Sequence, residues 1–149
     1  MNGIQYRDDW NKIAQLADVN KLSYLFVRNI LLSLNEYAFY QVEEYPLLEN
    51  KALKILQTRS FATQNKQLSI GQLQALDQIV ESIVLNPALG KQMQSELKDI
   101  QVLEFSLLGK DALFAYQFKS DKVILHTLNI YQWFSRLGNA VLKIALKVL

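Results

Sequence analysis

His126 is the side chain of this sequence best suited to proton transfer, because it is the only histidine and histidine titrates near neutral pH without a pKa shift. It lies between Leu125 and Thr127 in residues 123–128, where side chains alternate as in a strand. Two interpretations stay open: a general acid or base, or a histidine packed within a sheet or at its edge. The apolar surroundings favour the packed histidine.

A second group of candidate residues, Tyr131, Trp133 and Arg136, follows His126 closely in the chain. Aromatic side chains stack on bases and arginine binds phosphate, so this group predicts a nucleic-acid contact patch. Packing of a closing helix on the core explains Trp133 at least as well, and this alternative stays open.

Further basic residues, Arg59, Lys66, Lys119 and Lys122, are candidates for contact with nucleic acid or a protein partner. Arg59 and Lys66 can line an anionic site, whereas Lys119 and Lys122 flank the tip of a predicted hairpin. Solvated charges in turns and at helix ends are the common alternative for each of them.

Several classes of chemistry are excluded by composition. Without cysteine, the chain has no disulfide framework, no thiolate metal site and no cysteine nucleophile. A single histidine excludes a multi-histidine metal site within one chain. The sequence also lacks a phosphate loop, a nucleotide fingerprint and a triad signature. We therefore expect neither a metal nor a cofactor.

Charge is distributed unevenly along the 149 residues. Residues 1–50 hold four basic and seven acidic side chains, which gives this part a net charge of −3. Because the whole chain has a net charge of +2, residues 51–149 carry a net charge of +5. The acidic N-terminal part and the basic remainder of the chain are predicted to attract each other or to bind different partners. A scatter of charges without functional meaning explains the asymmetry equally well, and this alternative stays open.

The start of the chain has no secretory signal, since Met1 is not followed by an apolar run. Residues 22–42 approach the length of a membrane span, but they include Arg28 and Glu36. A charge at the bilayer centre costs about 2.5–3.5 kcal/mol on insertion scales. We therefore expect a buried helix, no stable membrane insertion and a cytoplasmic location.

The front part is predicted to be helical. A first helix is capped by Asp8 or Asp9 and breaks near residues 18–20, and a second runs from residue 21 to about residue 43. The second helix is apolar nearly all round, so we expect it to pack on two sides. Pro46 ends it, which divides the chain into a helical extension, residues 1–48, and a core domain, residues 49–149.

The core is predicted to be α+β, with a helix on a small antiparallel sheet and a C-terminal helix. A strand at residues 52–58 precedes a helix capped by Ser69 and stopped at Asn86-Pro87. A three-strand meander follows, at residues 102–107, 112–119 and 123–128, with turns at 109–111 and 120–121.

Three stretches of the core resemble a known family. In order they read LKILQTRSFATQNKQL from residue 53, IVESIVLNPALGK from residue 79 and LKDIQVLEFSLLGKDALFAYQF from residue 97. Together they resemble the RelE/ParE superfamily of toxins from type II toxin–antitoxin systems, and its ParE-like branch most of all. The resemblance covers about residues 51–137, and the N-terminal helices have no counterpart in the short toxins.

The resemblance implies a small sheet toxin that an antitoxin wraps and neutralises. RelE-like members cut messenger RNA on the ribosome, and ParE-like members poison DNA gyrase. The ribonucleases use Lys, Arg, Tyr or His side chains to stabilise the phosphate transition state and move protons. By this resemblance His126, Arg136 and Tyr131 are the candidate catalytic residues of a RelE-type endoribonuclease.

The sequence therefore fits two functions. The first is a toxin that inhibits bacterial growth through ribosome-dependent mRNA cleavage or gyrase inhibition. The second is a non-catalytic interaction protein with a degenerate toxin fold. The N-terminal helices would cover the core as an antitoxin does, or join two copies into a homo-oligomer; the partner is then a cognate antitoxin or these helices themselves. The residues expected at such an interface are Leu25, Phe26, Leu32, Phe39 and Tyr40.

Overall fold

The computed structural model describes residues 10–34, 40–46 and 52–130 and confirms the predicted α+β class. Two N-terminal helices precede a sheet that carries two further helices. The elements are α1 (Trp10–Asn20), α2 (Tyr24–Ser33), β1 (Tyr40–Pro46), β2 (Ala52–Gln57), α3 (Arg59–Asn65), α4 (Ile70–Leu85), β3 (Lys91–Gln92), β4 (Gln101–Leu107), β5 (Lys110–Lys119) and β6 (Lys122–Ile130), with short 3₁₀ turns at Pro87–Leu89 and Ser95–Leu97. Within these ranges, no helix combines the length and the apolar character that a membrane crossing needs.

The sheet has the strand order β1-β2-β6-β5-β4-β3. Its neighbours are antiparallel except β2 and β6, which run parallel over Lys54–Gln57 and Lys122–Leu125. The prediction of an antiparallel sheet is therefore wrong at this one pair. A parallel pair needs a long crossover connection, and the chain between β2 and β6 supplies one through α3, α4 and three strands.

The helix predicted from residue 21 to about residue 43 is wrong beyond α2. The chain instead forms β1, which pairs with β2 along its length. Tyr40, Val42 and Tyr45 are residue types that favour strands. Pro46 is tolerated at the end of β1 because β1 is an edge strand of the sheet.

The helix before the meander is confirmed, together with its signals. The Ser69 side chain accepts from the backbone N–H of Gln72, and the Gln72 side chain accepts from the backbone N–H of Ser69. This capping box satisfies donors that a helix start leaves free. The helix ends at Leu85 with Asn86 as its C-cap, directly before Pro87, which agrees with the predicted stop at Asn86-Pro87.

The meander is confirmed with small shifts at its turns. Leu108 and Gly109 form the first hairpin loop with positive φ values of 52° and 86°, as a tight hairpin requires. The turn therefore begins one residue before the predicted residues 109–111 and shares Gly109 with them, whereas Lys110 and Asp111 already belong to β5. Ser120 and Asp121 form the second loop, as predicted.

One face of the sheet is covered by α3 and α4. Phe61 and Ile83 from these helices share a hydrophobic cluster with Phe114, Tyr116 and Leu125 from the strands. The rings of Phe61 and Phe114 stack with their centroids 5.3 Å apart. This cluster forms the core on this face of the sheet.

The opposite face is covered by the N-terminal helices. Leu16, Phe26 and Ile30 are buried in one cluster with Val102 and Leu113 of the sheet. An ion pair between Lys12 and Glu96 and hydrogen bonds between Asn20 and the backbone of Gln94 tie α1 to the segment before β4. The helices before the family-like region are thus packed on the sheet of the same chain.

Candidate functional site

His126 lies at a β-bulge in β6. Ala115 pairs with Thr127 and Tyr116 pairs with Leu125, so His126 is the extra residue of the bulge between these two pairs. A bulge of this kind re-aims a side chain relative to the regular alternation of the strand. Here the imidazole meets α2, the second N-terminal helix.

Both ring nitrogens of His126 have polar neighbours. Nδ1 lies 2.9 Å from Ser33 Oγ, and Nε2 lies 3.1 Å from Gln117 Oε1. The Ser33 hydroxyl donates to the carbonyl oxygen of Ile30 at 2.7 Å, so its oxygen is left to accept from Nδ1–H.

His126 is fully buried, with 0% of its surface exposed. Burial lowers the pKa of His126 from 6.5 to about 4, against a smaller opposing effect of a hydrogen bond to the backbone of Ser33. The ring is therefore neutral at neutral pH and out of reach of a substrate. This placement favours the packed histidine over the general acid or base.

The backbone beside the His126 ring anchors α3. Thr58 is the N-cap of α3: its hydroxyl accepts from the N–H of Phe61 at 3.0 Å and donates to the carbonyl oxygen of His126 at 2.6 Å. The Gln64 side chain accepts from the N–H of Leu128 at 2.8 Å and donates to the Thr127 hydroxyl at 3.1 Å. Residues 126–128 thus fix both α2 and α3 to β6.

A polar cleft of about 500 Å³ opens between α2, α3 and β6. Arg59 is the charged residue of its lining. The remaining lining side chains are all polar and uncharged: Asn29, Ser60, Thr63, Gln64 and Thr127. Lys66, which was expected to line an anionic site together with Arg59, is the C-cap of α3 and does not line this cleft.

Two further candidates for partner contact, Lys119 and Lys122, are not among the residues that line this cleft. Lys119 and Lys122 are exposed and face each other across the base of the β5–β6 loop, as predicted. Tyr131, Trp133 and Arg136 lie outside the described residues, so the patch predicted there has no described geometry.

The residues predicted to lie at an interface differ in how deeply the structure buries them. Leu25 is 62% exposed and Leu32 is half-buried, whereas Phe26 is fully buried in the core of its own chain. Phe26 packs with Val102 and Leu113 of its own chain, as the helices would do in a cover in cis. Tyr40 begins β1, and Phe39 lies outside the described residues.

The polar partners of β6 were missed by reasoning from the sequence. Ser33 follows three apolar residues, and a hydroxyl in such a run is a signal of a buried hydrogen bond. Thr58 carries the clearer signal, because threonine is a preferred N-cap and a helix begins directly after it. Gln64 and Gln117 offer no comparable signal.

Comparison with known proteins adds one match. A family model described as ParE-like toxin of type II bacterial toxin-antitoxin system matches residues 55–133, more than half of the chain. No curated protein and no solved structure matches the chain significantly.

Proposed function

The chain belongs to the ParE-like toxins of type II bacterial toxin–antitoxin systems, and we propose that it arrests growth by binding a protein target rather than by cleaving RNA. Membership implies a cognate antitoxin as a partner. Of the two targets that the resemblance suggests, DNA gyrase is favoured over ribosome-bound messenger RNA. The protein would then act in the cytoplasm, where gyrase is found.

The observation that carries this proposal is the burial of His126. Cleavage of RNA by acid–base catalysis needs a side chain that titrates usefully and reaches the 2′-hydroxyl or the leaving oxygen. His126 is neutral, fully buried and hydrogen-bonded within the protein. A toxin that acts through a binding surface has no such requirement.

The N-terminal helices are proposed to act as a cover in cis. Their burial against Val102 and Leu113 supports a permanent layer over one sheet face, where the short toxins have no counterpart of α1 and α2. The antitoxin would then bind elsewhere on the molecule. The same burial favours a second candidate, a non-catalytic interaction protein that uses its remaining surface and the exposed Leu25 to bind a partner or a second copy.

Induced expression of the full chain in bacteria separates these functions. We expect growth arrest with a DNA-damage response and intact messenger RNA. Arrest with cleaved messenger RNA, abolished by Arg136→Ala or Tyr131→Phe, would overturn the proposal in favour of a ribonuclease. Normal growth at verified expression of folded protein would instead favour the interaction protein.

A further inference from the structure

The outer edge of β4 is open over most of its length. β5 pairs with β4 along all of Gln101–Leu107, whereas β3 pairs on the other side with Gln101 and Val102. Among the residues that the structure describes, no strand pairs with residues 103–107 on that side. An open strand edge is a ready template for a further strand.

The backbone groups of Glu104 and Ser106 point to this open side. The N–H of Met93 donates to the carbonyl oxygen of Ile100 at 2.8 Å, in continuation of the β3–β4 pairing. Along an antiparallel strand, every second residue exchanges hydrogen bonds with a given neighbour. Counting from Ile100, the outward residues of β4 are Val102, which faces β3, and then Glu104 and Ser106. Their N–H and C=O groups can therefore bind an added strand.

The two edges of the sheet differ in how they meet a further strand. β1, the opposite edge, ends in Pro46 and has a register shift between Gln41 and Glu43. Proline and bulges are common protections of edge strands. The open part of β4 reads LEFSL, holds neither proline nor lysine, and pairs with β5 without a shift. It is therefore the edge better suited to pairing.

The side chains of this edge favour a second copy of the chain as the added strand. Two copies related by a two-fold axis present the same strand to each other in antiparallel direction. With the axis at Phe105, this residue lies opposite its own counterpart, and Leu103 lies opposite Leu107 of the second copy. Glu104 lies opposite Ser106, so like charges do not meet directly. Leu103 and Phe105 are only partly buried within one copy, and the pairing would complete their burial.

Other registers fit this edge less well. A slip of one residue would place Glu104 opposite Phe105, which mixes the polar and apolar faces. A slip of two residues can place Glu104 opposite its own counterpart, which is unfavourable for like charges. In the register centred on Phe105, the two Glu104 residues are diagonal neighbours about 7–8 Å apart. Their side chains are exposed, so salt screens the remaining repulsion.

The backbone agrees with the same register. Glu104 and Ser106, whose groups point outwards, would exchange hydrogen bonds across the two-fold axis. Phe105 would form the closer, non-hydrogen-bonded pair, in which side chains make their best contact.

Exposed apolar side chains flank both ends of the open edge. The first turn of α4 lies against Leu108, which follows the end of β4. The segment after α4 is held by Tyr116, which pairs with the first residue of β4. α4 therefore runs along β4 in the opposite direction, with Ile70 and Leu108 exposed at one end and Leu85 exposed at the other. A two-fold axis brings opposite ends of the two copies together, which would shield these side chains from water.

From this edge we infer that two copies of the chain pair through β4 and join their six-stranded sheets into one continuous sheet. This interface is separate from α2 and its exposed Leu25. The inference concerns assembly of the chain and does not depend on which macromolecule the toxin attacks.

Sedimentation equilibrium of the full chain over a range of concentrations measures the affinity of the dimer. Ser106→Glu places a second carboxylate opposite Glu104 at two symmetric positions, and should weaken the dimer between about twofold and thirtyfold. Ser106→Lys places opposite charges there and should tighten it by a similar factor. Glu104→Lys combined with Ser106→Glu should restore the affinity that Ser106→Glu alone removes. Gln15→Glu, which adds the same charge on the exposed side of α1, is the matched control and should leave the affinity unchanged.

Ser106→Pro tests the backbone pairing itself. It removes an N–H that points to the open side and leaves the β4–β5 hydrogen bonds intact, so we expect a folded monomer by circular dichroism and sedimentation. A parent chain that sediments as a monomer at every concentration would overturn the inference and leave the edge to a strand from elsewhere in this chain or from another protein. A dimer that responds alike to Ser106→Glu and Ser106→Lys, or that Leu25→Ala alone dissociates, would also overturn it.

Discussion

At the residue scale, the buried imidazole of His126 makes stability depend on pH. Its pKa in the folded protein is about 4, below the 6.5 of an unperturbed histidine. Between these values the unfolded chain binds a proton that the native ring does not, so the free energy of unfolding falls as pH decreases through this window. The full contribution of such a shift is on the order of 3 kcal/mol.

Urea unfolding at a series of pH values measures this dependence. His126→Asn is the control, because it keeps a polar side chain without a titrating group. In this variant the free energy of unfolding should lack the pH dependence that His126 contributes between pH 6.5 and about 4. Parallel stability curves for the parent and the variant would show that the native ring titrates normally.

Ser33 is expected to matter through the same ring. Ser33→Ala removes the Oγ that lies 2.9 Å from His126 Nδ1 in a buried site, so we expect a loss of about 1–3 kcal/mol in the free energy of unfolding. Ser82→Ala is the matched control, because the exposed Ser82 hydroxyl also donates to a backbone carbonyl within a helix. Its effect should stay within about 0.5 kcal/mol. Equal losses in chemical denaturation would argue against a special role for Ser33.

At the element scale, the segment between α4 and β3 is held by Tyr116 of β5. The buried hydroxyl accepts from the N–H of Gly90 at 2.8 Å and donates to the carbonyl oxygen of Pro87 at 2.7 Å. A Cβ at Gly90 would approach the Tyr116 ring to 2.9 Å, which is closer than real side chains tolerate. Position 90 therefore needs glycine for space rather than for backbone conformation.

Gly90→Ala should accordingly lower the free energy of unfolding by about 1–3 kcal/mol, as overpacking does. Gly71→Ala provides the contrast. Its Cβ would meet only the end of the exposed Leu108 side chain, at 3.1 Å, and alanine favours a helix over glycine. We expect it to be neutral or to stabilise by up to about 1 kcal/mol. Thermal unfolding of both variants decides, and a Gly90→Ala protein as stable as Gly71→Ala would contradict the packing described.

The elements also differ in how well the sequence alone could predict them. α4 and the meander were predicted because their signals are local: the Ser69 cap, the Asn86-Pro87 stop and the alternating strands. β1 was mistaken for helix because its pairing with the distant β2, and not its own pattern, selects the strand. The same holds for the parallel β2–β6 pair and for the bulge at His126, because both depend on the register between strands that are distant in the sequence. The walls of the polar cleft depend on these two features, so the sequence could not predict the cleft either.

At the scale of the whole molecule, the N-terminal helices are part of the core. The adjacent residues Leu25 and Phe26 test this directly, since one is 62% exposed and the other fully buried against the sheet-facing cluster. Phe26→Ala should cost about 3–5 kcal/mol of stability. Leu25→Ala should change it by no more than about 0.5 kcal/mol.

Chemical denaturation of the two variants gives these values, and sedimentation reports their assembly state. A cover in cis predicts that Leu25→Ala stays as stable and as assembled as the parent. A mild effect of Phe26→Ala would show that α2 is not a structural layer of the toxin-like core. Dissociation of an oligomer by Leu25→Ala would place this helix between two copies instead.

The proposal that this ParE-like toxin acts through a binding surface is tested most directly by DNA supercoiling with purified gyrase. We predict that the full chain inhibits supercoiling in proportion to its concentration. Leu25→Ala, which preserves the fold, then measures whether α2 contributes to the surface that binds gyrase. Undiminished supercoiling at saturating protein, with cleavage of ribosome-bound messenger RNA by the same preparation, would contradict the account.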